Sequence, residues 1–212
     1  MRKKTFNYTF YNFINENISL FIFTTVLFIM GVIFGSFLIY SLSINQKQEL
    51  ISYISGLLYD ISNDNWQNPD ISFKYIFFDN AKYLFFIWFL GLSVIGMPLI
   101  FLIVFMKGLI IGFTISFLIS EMSWKGFIFA VLSIVPQNLI IVPVFIVASV
   151  AGTLFSLSLI KGRGQKLLIY QQSFTSYSML TLLLIGFLLL SSLIETFISP
   201  YLIKIIAKLL IN

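Results

Sequence analysis

Residues 18–42 read ISLFIFTTVLFIMGVIFGSFLIYSL, 25 positions without one charged side chain. A helix needs about 20 apolar residues to cross a hydrocarbon core about 30 Å thick, so this stretch is a transmembrane helix. Arg2, Lys3 and Lys4 precede it, but the run is too long for a signal-peptide core and no A-x-A site follows. It reads as an uncleaved anchor. The composition of the whole chain agrees: 59% of its 212 residues are hydrophobic, 10% are charged, and mean hydropathy is +1.00. A chain of this kind uses the bilayer as its solvent.

Four further crossings are expected, giving an all-α, polytopic helix bundle with five transmembrane helices. The second runs from Tyr83 to Met106, and Lys107-Gly108 marks its end. The third covers Leu109 to Ser120, extending towards Trp124. The uncharged stretch from Gly126 to Ile160 is too long for one ordinary span. It reads as a short or re-entrant half-helix to Val135, a break at Pro136-Gln137-Asn138, and a full span to Ile160. The last span, Met179 to Ile198, carries Glu195 and stops at Pro200.

Orientation follows from Lys and Arg in short loops, which resist translocation. A cytoplasmic N-terminus over residues 1–17 places Arg2, Lys3, Lys4, Lys107, Lys161, Arg163 and Lys166 inside, and the C-terminal tail, 201–212, outside. The longest polar segment, 43–82, is then extracytoplasmic. Its apolar residues Ile51, Ile54, Leu57 or Leu58 and Ile61 recur at helical spacing, which predicts an amphipathic helix, either on the membrane surface or packed as a cap on the bundle. Trp66 follows in a loop-forming stretch and is suited to anchoring at the interface.

Several chemistries are missing. The chain has no cysteine and no histidine, which removes thiolate nucleophiles, imidazole bases and the usual zinc or haem ligands. No enzyme activity, cofactor, metal or nucleic-acid partner is expected. With basic residues assigned to membrane edges, an ion-coupled pump is disfavoured, while the Pro136 break leaves a permease or channel subunit as the alternative. The remaining candidates for helix packing or partner binding are the small-residue pairs Gly31/Gly35, Gly108/Gly112 and Ala148/Gly152, the bend formers Gly96 and Pro98, the polar pair Gln137 and Asn138, and Glu195.

The order of these features resembles the stage II sporulation protein M family over essentially the full length. Gly96-Met97-Pro98, Lys107-Gly108 with Gly112, Pro136-Gln137-Asn138-Leu139-Ile140 with Pro143, and the ending from Ile194-Glu195 to Pro200 carry the resemblance. The wider family's Pro-His-Gly motif, with an acid and a second proline seven residues after the first, keeps only its prolines, Pro136 and Pro143. Gln137 and Asn138 replace His and Gly, and Ile141 stands where the acid would be. That departure argues against chemistry run through the histidine and acid.

The resemblance implies a scaffold in the mother cell's septal and engulfing membrane during sporulation. It implies two membrane-anchored peptidoglycan hydrolases as partners, an amidase/endopeptidase and a lytic transglycosylase. A homodimer is compatible with it.

Overall fold

The computed structural model describes residues 13–62, 69–161, 167–198 and 201. Trp66 and Pro200 lie outside them, and the Leu58 side chain is likewise not described. Regular structure among the described residues is entirely helical: α1 (Ile18–Leu38), a 3-10 turn (Ile39–Ser41), α2 (Ile44–Ser62), α3 (Pro69–Gly91), α4 (Gly96–Lys161), α5 (Leu167–Leu193) and a closing π turn (Ile194–Ile198). Among them, three helices are long and apolar enough to cross a membrane, over Ile18–Ser41, Gly96–Ile160 and Phe174–Phe197.

α4 is folded back on itself. Ser123 has φ 52° and ψ −131°, the only positive φ at a non-glycine residue described, and it divides the helix into a first limb (96–122) and a second limb (124–161). Each limb exceeds the roughly 20 residues of a crossing. Gly126 makes the fold tight, since a Cβ there would strike the Leu118 carbonyl.

Contacts between helices give their relative directions. Phe23 meets Phe101 and Gly31 meets Leu109, so α1 runs parallel to the first limb. Ile100 packs near Gly152 and Lys107 near Phe145, so the two limbs are antiparallel. Tyr83 with Phe145, and Ser93 with Ser156, make α3 parallel to the second limb. Phe155 with Phe174, and Gln137 with Ser191, make α5 antiparallel to it. The turn at Leu92–Ile95 therefore lies at one end of the bundle, and the Ser123 elbow and the π turn lie at the other. The core lies among α3, α4 and α5, around Leu84, Ile87, Ile100, Val144, Phe145 and Leu188.

Four boundaries differ from the sequence expectation. The stretch 83–106 is not one span, because α3 ends at Gly91 and α4 starts at Gly96. The intervening Leu92–Ile95 is apolar enough to escape hydropathy, yet its turn is closed by its own backbone bonds, Leu92 N–H to Phe89 O and Ser93 N–H to Leu90 O. Gly96 and Pro98 thus open α4, where a first-turn proline costs no helical bond, rather than bending a span. Lys107-Gly108 does not end a helix either, since both lie within the first limb. The expected break at Pro136 is also absent: the second limb stays helical through Pro136 and Pro143. Side chains in that stretch bond back onto the helix, Ser133 Oγ donating to Phe129 O at 2.6 Å and Asn138 Nδ2 to Ile134 O at 2.8 Å, while the carbonyl whose helical donor Pro136 removes is that of Leu132. α5 also begins well before Met179.

The α1 contact with α4 is built from glycine on both sides. A Cβ on Gly31 would strike Phe105 O, and one on Gly35 would strike Leu109 O. A Cβ on Gly108 would strike Phe28 O, and one on Gly112 would strike Val32 O. The two small-residue pairs therefore face one another, backbone against backbone. Without a hydrophobic driving force between helices in lipid, such close approach supplies van der Waals and Cα–H···O attraction. Gly35→Leu or Gly112→Leu is expected to cost about 1–3 kcal/mol through overpacking, whereas Gly186→Ala, with open space around it, should be neutral. Thermal unfolding in detergent measures both.

Candidate functional site

The bundle holds a cation where the sequence suggested a membrane edge. Lys107 sits two residues before Leu109, which packs on Gly31, so it lies level with the middle of α1. Its Nζ donates to Asn80 Oδ1 at 3.2 Å, lies 4.3 Å from the Tyr83 ring centre and 5.1 Å from that of Phe145. Asn80 and Tyr83 project from one face of α3, followed by the buried Leu84 and Ile87, at the i, i+3, i+4 spacing that sends them to the same side. Phe145 arrives from the second limb. One ammonium is thus held by two other chain segments through an amide acceptor and two aromatic faces, the means by which an apolar interior tolerates a cation.

Beside this site Lys82 forms an exposed ion pair with Asp79. Such a surface pair adds little stability. Glu195 is half-buried in the π turn beside buried Thr196. The turn packs on α3 and α4.

A second polar junction lies towards the opposite end. The Tyr177 hydroxyl donates to the carbonyls of Ile87 and Trp88, both at 3.2 Å, and Trp88 Nε1 donates to Ser178 Oγ at 3.3 Å. Gly91 and Gly152 make room for it, a Cβ on Gly91 lying only 2.9 Å from the Gly152 Cα. The third small-residue pair, Ala148/Gly152, therefore faces the interior at α3 and α5. Ser156 Oγ donates to Ser93 O at 2.8 Å and ties the second limb to the α3–α4 turn.

The remaining candidates fall elsewhere. Gln137 and Asn138 sit mid-helix, Asn138 bonded within its own helix and the Gln137 carbonyl accepting from Ser191 Oγ at 3.1 Å. Pro136 is half-buried and Pro143 exposed. Ile51 is exposed and Ile54 half-buried on α2, facing a cleft against the elbow end of the first limb. Sequence reading missed the Lys107–Asn80 pairing and the Tyr177 junction. The helical spacing of Asn80, Tyr83, Leu84 and Ile87 was the available signal for the first. Among the described residues, no three His, Cys, Asp or Glu side chains converge as a metal site.

A helical bundle with backbone-to-backbone glycine packing, a half-buried lysine and lipid-length apolar helices is a polytopic integral membrane protein. The family model of Stage II sporulation protein M matches residues 24–200, and the chain belongs to that family. It is accordingly a sporulation-associated membrane protein. Searches of curated proteins and of solved structures returned no match.

The Lys107–Asn80 contact is expected to show coupling in a double-mutant cycle. Lys107→Met and Asn80→Leu should each destabilise the bundle, and the double variant should lose less than their sum by roughly 0.6–2 kcal/mol, the range of intramembrane polar contacts. Unfolding in mixed micelles reads the cycle.

Proposed function

We propose that this protein is a non-enzymatic membrane scaffold that recruits and localises peptidoglycan hydrolases for septal wall thinning and forespore engulfment. The proposed partners are the membrane-anchored amidase/endopeptidase and lytic transglycosylase, and the proposed location is the mother cell's septal and engulfing membrane. Family membership supports the setting.

The observation that carries the scaffold reading is what the bundle leaves uncovered. α1 buries only Thr24, Gly31 and Gly35, and it exposes Ile22, Val26, Ile29, Met30, Ile33 and Phe37 along its length. α2 stands at the elbow end without extensive packing on another helix. One helix thus offers a face for a partner's transmembrane segment, and its neighbour in sequence offers one for a domain outside the membrane. The glycines of α1 and the first limb hold these surfaces in place and are not themselves the partner-binding surface.

The proposed topology has five crossings: α1, α3, the two limbs of α4, and α5. Their alternating directions support this count, with boundaries shifted from those read in the sequence. A cytoplasmic N-terminus then puts the 92–95 turn and the basic segment with Lys161, Arg163 and Lys166 inside, in keeping with the bias of positive charge. It puts α2, the elbow and the C-terminus outside, where cell-wall enzymes act.

The alternative, a permease or channel subunit, is favoured by one observation, the cation at mid-bundle, because intramembrane charges often mark transport paths. The contacts of Lys107 to Asn80, Tyr83 and Phe145 account for that cation as a packing device.

Crosslinked affinity capture from cells entering sporulation, compared with growing cells, discriminates the readings. Recovery of exported cell-wall hydrolases, diminished by polar substitutions at Ile29 and Ile33 on α1, is the expected result. Recovery of a cytoplasmic ATPase without hydrolases, with solute flux in reconstituted vesicles, would establish the alternative.

A further inference from the structure

α2 begins where α1 ends. Leu42 turns the chain with ψ 134°, and Ser43 and Gln46 form a reciprocal cap: Ser43 N–H donates to Gln46 Oε1 at 2.9 Å, and Gln46 N–H donates to Ser43 Oγ at 3.4 Å. The helix therefore starts at the level where α1 leaves the apolar zone. Exposed aromatic residues stand on either side of this level. Tyr40 at the end of α1 is 84% exposed, and Trp124 at the elbow is 70% exposed and stacks on Phe127. Amphipathic rings of this kind settle at the boundary between headgroups and hydrocarbon.

Between α2 and the end of the first limb lies a cleft of about 280 Å³, lined by Ile51 and Ile54 on one side and by Phe117, Leu118 and Met122 on the other, with Glu121 at the same site. Its walls are helices whose remaining apolar surfaces face outward, Ile119 on the first limb and Ile44 on α2 among them. The cleft is thus continuous with the surface that meets lipid. Its lining combines apolar side chains with the Ser55 hydroxyl and one carboxylate.

We propose that this cleft is a seat for one acyl chain of an outer-leaflet phospholipid, with the Glu121 carboxylate favouring an amine-bearing headgroup. Three features point to lipid: the cleft opens at interface depth, its lining is mostly aliphatic and aromatic, and the charge at its edge complements a phosphoethanolamine amine. A seated chain fills the gap between α2 and the first limb and fixes how α2 is presented at the membrane surface. The leaflet rests on the topology proposed above, but the site does not rest on the scaffold reading, because it concerns what holds α2 whichever partner α2 meets.

The test uses the full chain in nanodiscs of phosphatidylethanolamine and phosphatidylglycerol, containing a trace of phosphatidylethanolamine with a photoreactive acyl chain. After illumination, crosslinks are mapped by mass spectrometry. The expected result is enrichment at 51–55 and 117–122 over the lipid-facing Ile29 and Phe37 of α1. Ile54→Trp with Phe117→Trp should reduce cleft labelling about fivefold by filling the space, with helix content by circular dichroism as the folding control. Glu121→Gln should reduce labelling by this probe relative to one with a glycerol headgroup, and this comparison stands even where the double tryptophan variant does not fold. Labelling spread evenly over α1 and the cleft would overturn the proposal. So would crosslinks from a photoreactive residue at position 54 to a polypeptide, including a second copy of this chain, in place of lipid.

Discussion

Everything in this bundle hangs from the seam where Gly31 and Gly35 of α1 meet Gly108 and Gly112 of α4. A lipid-embedded helix gains little from hiding apolar side chains, because lipid is as apolar as the protein interior. α1 shows the consequence, since most of its large side chains are exposed. Its attachment depends on bringing backbone close to backbone, and a Cβ at any of the four glycines would collide with a carbonyl of the facing helix. This contact sets the parallel direction of α1 and the first limb, and through it the end at which α2 begins.

The polar interior follows from the same solvent. The half-buried Lys107, level with the middle of α1, sets its ammonium against the Asn80 amide and two rings from different segments. The Tyr177 hydroxyl similarly bonds to two α3 carbonyls. Each contact ties α3 to a neighbour at a defined register, whereas the aliphatic core around Leu84 and Leu188 fills volume with less directional preference. Stability and specificity thus rest on different groups, glycine for closeness and a few polar side chains for register.

The sequence made the first helix, α2 and the helical class legible because each has a periodic or uninterrupted apolar signal. It misplaced the middle boundaries for a common reason: hydropathy reports composition along the chain, whereas a helix ends where backbone bonds are diverted. Leu92–Ile95 turns although Val94 and Ile95 are apolar. Lys107 continues a helix although it is charged, because its partner is 27 residues away along the chain. Pro136 continues one although it removes the donor for the Leu132 carbonyl. Ser123 gave no warning, since the left-handed φ falls on a residue that rarely adopts it. The four seam glycines were legible as packing residues, but that they pack on each other is a tertiary fact. The resemblance to the family was legible in the order of motifs.

The proposed five-crossing topology has α2 and the Ser123 elbow outside and the 92–95 turn inside. The absence of cysteine permits a clean test, with single cysteines at Gly56, Ser123 and Ile95 probed on intact cells by a membrane-impermeant maleimide. The account predicts labelling of positions 56 and 123 from outside, and of position 95 only after permeabilisation. Labelling of position 123 only after permeabilisation, or of position 95 on intact cells, would contradict it.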